Sequence, residues 1–144
     1  MKRFRFRLSR VLAVRQIRER IAEVELGQAR HRLSEEQRRL AYLHASMDQS
    51  LDTLRTHLRS SFDPRTAVAH HAHIERLRGD VSQQVARVDV ARHDVVRRQD
   101  ALLQERQKRK ALDRLRERQH QEYIGYVLSE EQKDLDDMKR VERR

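Results

Sequence analysis

The chain has no cysteine and no tryptophan, one proline, three glycines and only 4% aromatic residues. Each shortage removes a class of protein. Without cysteine there are no disulfides, no thiolate nucleophile and no cysteine-based zinc site. Three isolated glycines cannot build a phosphate-cradling loop. No apolar run approaches the roughly 18–20 residues of a membrane span. The opening MKRFRFRLSR carries charge but no apolar core, so it is not read as a secretory signal and a cytoplasmic protein is expected. A compact core in 144 residues would normally draw on more aromatic side chains than this.

What is present is charge. Charged residues make up 39% of the sequence, and 33 Lys and Arg outweigh 23 Asp and Glu for a net +10. High charge with few large apolar residues fits either disorder or long solvated helices. Regular spacing of the apolar residues favours helices. Leu40, Leu43, Met47, Leu51, Leu54 and Leu58 follow steps of three and four that repeat after eleven residues. Such a repeat points to a nearly straight pairing. Upstream, Ile17, Ile21 and Val24 offer one stripe, and Ala22, Leu26, Ala29 and Leu33 another. Downstream run Ile74, Leu77, Val81, Val85 and Val88, with Val81, Val88, Val95 and Leu102 on a plain heptad. Leu112, Leu115, Tyr123, Leu128, Leu135 and Met138 extend that series.

The lone proline divides the pattern. In RSSFDPRTA, Asp63 suits a helix N-cap and Pro64 a first helical position, where its missing N–H and fixed φ do no harm. The expected fold is therefore all-α: a long two-helix antiparallel coiled-coil hairpin, one domain over 1–144. Its helices are expected near 3–60 and 64–140, with a bend at 60–66. Folding back about Pro64 sets Leu58 near Val68, Leu40 near Val88 and Val24 near Leu102. Gly27 and Gly79 are expected to permit close helix contact, and Gly125 to be a soft point.

Charge is uneven along this hairpin. Residues 1–20 hold eight basic residues against one acidic, a net of +7. Residues 105–118 hold seven against three, a net of +4, whereas 129–137 are net −4. The half bearing the termini should thus meet a negative surface. Its opening FRFRL reads either as a first turn covering the hairpin end or as an apolar plug, Phe4 and Phe6, with a basic collar.

Catalytic and metal chemistry find little support. No nucleophile–base set stands out, and a two-helix rod lacks a water-excluding pocket. In AHHAHIE, His70 and His73 share one helix face and His71 and Glu75 another. Neither pair supplies the four ligands of structural zinc, so no metal and no cofactor is expected. Nucleic-acid binding has the charge behind it, but the arginines spread around the helices and aromatic stacking platforms are missing. A homodimer of extended chains is opposed by the Asp63–Pro64 break.

The segments MKRFRFRLSRVLAVRQIRERIAEVELGQA and RHRLSEEQRRL, with the later RQKRKALDRLRERQHQEY and the acidic EEQKDLDD, resemble the FliJ family of flagellar export proteins across nearly the whole chain. The resemblance implies a non-enzymatic stalk of the flagellar type III export apparatus. Its partners would be a hexameric export ATPase, the cytoplasmic domain of the membrane export gate and export chaperones. It would lie in the cytoplasm, peripheral to the inner face of the cell membrane. The equivalent stalk of a virulence injectisome is the sister reading. By family position, ATPase contact falls to Phe4, Phe6, Arg7, Arg109, Arg114 and Arg116. Leu112 and Leu115 would grip the first helix around Leu12 and Val14. Gate contact falls to the faces around Leu40, Leu43, His73, Leu77 and Gln84. Family members with exposed aromatics in that region differ from this chain, which has only Tyr42 and Phe62 there.

Overall fold

The computed structural model describes residues 3–60 and 63–142. Among them are two helices and no strand: α1 (Ser9–Ser60, 52 residues) and α2 (Pro64–Glu142, 79 residues). The helices pack against each other as the expected hairpin. The chain divides into two compact units, one of Met1–Ala22 with Leu102–Arg144, the other of Glu23–Ala101. Within the second unit Glu36 meets Gln84, Arg32 meets Asp94 and Glu25 meets Arg98, so α1 and α2 run antiparallel there. Within the first, Arg15 meets Glu105 and Phe4 meets His120 in the same sense.

The start of α2 follows from its cap. The Asp63 carboxylate accepts the Arg65 N–H at 3.2 Å and the Thr66 hydroxyl, and its carbonyl accepts the Ala67 N–H at 3.0 Å. One otherwise orphaned N–H of the first turn, that of Arg65, is thereby satisfied, and the Ala67 bond is the first of the helix itself. Ser61 and Phe62, which fall in the expected bend, lie outside the described residues.

The start of α1 differs from expectation. It begins at Ser9, not near residue 3, with the Ser9 N–H bonded to the Phe6 carbonyl at 3.2 Å. Continuing the helix upstream would bring Leu8 and Arg5 to the inner face, by steps of four and three from Leu12. Ending it at Ser9 leaves Phe6 buried instead, at 8% exposure.

One heptad frame explains the packing of both helices. On α1, every position stepped by three and four from Leu12 to His57 is buried or half-buried. On α2 the same holds from His70 to Leu112. This corrects the eleven-residue reading: Ser50 and His57 take inner places, and Leu58 is 46% exposed, as is Val68 opposite at 68%. It also decides between the two upstream stripes. Ala22, Leu26 and Ala29 are buried, whereas Val14, Ile17, Ile21 and Val24 are about half exposed or more. The buried stripe is the one in step with Leu12 and with Leu40 to Leu54, and a paired helix keeps one frame more cheaply than it switches. Likewise Gln84, at 2% exposure, stands where Val85 was expected. The glycine expectation fails as well. A Cβ built at Gly27 or Gly79 meets nothing within 4 Å, so neither marks a close helix contact.

Candidate partner interface

In the unit of Met1–Ala22 and Leu102–Arg144, the heptad frame places charged residues at inner positions. Arg15 pairs with Glu105 at 3.6 Å. Glu19, its side chain only 12% exposed, accepts hydrogen bonds from Arg106 at 3.2 Å and from Arg109. The second guanidinium nitrogen of Arg109 bonds Asp113 one turn on. The hydrogen bond from Arg109 is the largest influence on the Glu19 carboxyl. With the Arg109 and Arg106 charges it outweighs the opposing push of burial and holds that carboxyl below its usual range. The Lys108 hydrogen bond, joined by the charges of Lys108, Arg15 and Arg18, lowers Glu105 in the same way. Arg109 is raised in return, first by Glu19 and then by Asp113.

The residues assigned to the ATPase therefore separate. Arg109 is half-buried and spent on Glu19 and Asp113. Phe6 is buried. Phe4 is half-buried, its ring edge-on to His120 at 5.0 Å and tilted against Tyr123 at 5.7 Å. The FRFRL segment thus covers the helices with its phenylalanines, while Arg7, Arg114 and Arg116 remain exposed. Leu112 and Leu115 are half-buried. Of their expected partners Leu12 is buried, but Val14 is 48% exposed and lies off the inner frame.

The unit of Glu23–Ala101 separates the gate residues similarly. Leu77 and Gln84 are buried in the seam. The Gln84 amide donates to the Glu36 carbonyl at 3.0 Å and to the Glu36 carboxylate. Leu40 and Leu43 are half-buried on the same frame, and His73 is exposed. Of the aromatics near this region, Tyr42 is 71% exposed. Arg98 reaches Glu25 at 2.6 Å and Arg32 reaches Asp94 at 3.1 Å, closing the seam's edges.

Sequence reasoning missed Glu19, Glu36 and His57. Their signal was present: each lies in heptad step with Leu12, Leu26 and Leu40, but a search for apolar repeats passes over polar members. The two histidine pairs considered along α2 do not assemble. His71 and His73 are exposed, and Glu75 bonds Arg78 at 2.7 Å. Among the described residues no group of three or more His, Cys, Asp or Glu converges to hold a metal, and no helix is long and apolar enough to cross a membrane.

Comparison with known proteins agrees with this architecture. A solved structure described as a putative YscO homolog, CT670 from Chlamydia trachomatis, superposes with a TM-score of 0.58 at 20% identity, covering 96% of this chain and 94% of that one. That likeness is one of fold. No curated protein matches. Residues 4–142 match the sequence profile of the family described as flagellar FliJ protein. With nearly the whole length matched, this two-helix chain belongs to the FliJ family.

Proposed function

We propose that this protein is the non-enzymatic stalk of the flagellar type III export apparatus. In this reading it links the hexameric export ATPase to the cytoplasmic domain of the membrane export gate, promotes ring assembly and escorts export chaperones. The observation that carries the reading is the family match over residues 4–142, on a chain folded as an antiparallel helix pair. Membership ties the chain to the export apparatus, and exposed charge supplies a chemistry for the contact. Arg7, Arg114 and Arg116 are solvent-facing. They suit acidic groups of an ATPase ring and would speed encounter with it. Phe4, Phe6 and Arg109 support this surface from within and do not themselves reach a partner. On the gate side, His73 and the outer edges of Leu40 and Leu43 would make contact, with Leu77 and Gln84 holding the helices together under them. The protein would then sit in the cytoplasm, peripheral to the membrane through its partners. The same geometry would serve an injectisome, and only the partner distinguishes the two.

The test is hydrolysis by the same organism's export ATPase with and without this protein. Stimulation is expected, and Arg7→Glu with Arg114→Glu and Arg116→Glu should remove it while helicity stays unchanged. Absence of stimulation by the unaltered protein at moderate salt would overturn the stalk reading. The +10 charge would then be tested against nucleic acid through the salt slope of binding.

A further inference from the structure

One polar layer of the Glu23–Ala101 unit is left unfilled. His57 follows Leu54 by three on the α1 frame, and His70 precedes Ile74 by four on the α2 frame, so both are seam positions and both are half-buried. Their rings face each other across the helices, with centroids 5.9 Å apart and planes 46° from parallel. The Nε2 atom of His57 is closed to solvent and has no hydrogen-bond partner. Two other polar members of this seam are hydrogen-bonded across it, Gln84 to Glu36 and Arg98 to Glu25. A buried imidazole nitrogen left empty is expensive, and such exceptions call for a cause.

We propose that His57 and His70 form a cross-helix chelate for a divalent transition-metal ion of the zinc, nickel or copper type. This site is independent of the export reading. Neutral imidazole is a favoured ligand of these ions, which bind its nitrogen at about 2.0–2.1 Å. Two imidazoles on one ion place their ring centres roughly 5 Å apart, close to the 5.9 Å separation here. Asp63 adds a negative charge nearby. Its carboxyl is held low chiefly by the Thr66 hydroxyl and then by the Arg65 N–H, with a smaller contribution from the charge of His57. Those cap bonds occupy its oxygens, so it favours a cation without ligating one. His57 also lines a solvent-open depression with Asp52, Thr56 and Ser60. With two protein ligands, affinity is micromolar in scale, well short of a four-ligand structural site. The bound ion fastens the end of α1 to the start of α2.

The experiment uses the untagged full chain titrated with NiCl2 and with ZnCl2 at about pH 7.5, because metal ligands must be deprotonated to bind. Calorimetry should give about one ion per chain, and the melting temperature should climb with free metal. His57→Ala and His70→Ala should each weaken binding about tenfold or more, while His71→Ala and His73→Ala leave it nearly unchanged. Substoichiometric Cu2+ added to the unaltered protein should broaden the His57 and His70 imidazole resonances first, a readout that needs no variant to fold. Binding that survives His57→Ala, depends on His71 or His73, or is absent at micromolar metal would overturn the site.

Discussion

The two units of this chain hold their helices together by different means. In the unit of Glu23–Ala101 the inner positions are mostly Leu, Ile, Val and Ala, and Leu26, Ala29, Ile74, Leu77, Val88 and Val95 are all buried. In the unit of Met1–Ala22 and Leu102–Arg144 the same frame delivers Arg15, Glu19, Glu105 and Arg109, bonded across the seam. Apolar contact is indifferent to salt and pH over ordinary ranges. Paired charges at partly exposed positions are not. The terminal unit is therefore the more responsive one, and it also carries the exposed Arg7, Arg114 and Arg116.

The largest expected effect probes the apolar unit. Leu26→Ala should lower stability by about 2–3 kcal/mol in urea unfolding, whereas Val24→Ala, at a site 55% exposed, should change it by under about 0.5 kcal/mol. Equal effects would mean that the upstream frame has been assigned to the wrong stripe. Next comes the charged layer. Glu19→Gln should raise amide exchange over residues 12–22 and 102–113 and leave 26–40 protected. Because the Glu19 carboxyl is lowered in the folded protein, its contribution is present above the unfolded carboxylate pKa of about 4.3. It is lost as pH falls through the lower folded value. Acid, and added salt at neutral pH, should loosen this unit before the other. If both units respond together, the division by mechanism fails.

Smaller effects sharpen the picture. Gly27→Ala and Gly79→Ala should each stabilise by up to about 1 kcal/mol, since a helical glycine is entropically costly and the added methyl meets nothing within 4 Å. Destabilisation would restore the close-contact idea. Smallest is the cap. Asp63→Ala should fray the first turn of α2, a loss that circular dichroism reads as a slight drop in helicity. The difference from the unaltered protein should vanish in acid as Asp63, lowered chiefly by Thr66, becomes protonated.

Much of this was legible beforehand because it is local. Asp63–Pro64 announces a helix start whatever surrounds it, and steps of three and four announce helices. Exclusion of disulfides and glycine-rich loops needs only composition. The seam was legible wherever its members were apolar, as at Leu26, Ile74, Val88 and Leu102. It was left open where two stripes competed, Ile17 to Val24 against Ala22 to Leu33. It was misread where polar residues filled inner places, as at Gln84 and His57. Apolar spacing carries no instruction on which of two faces a partner helix will cover.

The division between sequence and tertiary structure falls along that line. Hydrogen bonding within a helix depends on near neighbours, so the sequence determined two long helices, their break at Asp63–Pro64 and the family to which they belong. Which side chains are spent inside depends on the facing helix. Only the packed structure could bury Phe6 and Gln84, tie Arg109 to Glu19, expose Arg114 and Arg116, and bring His57 against His70.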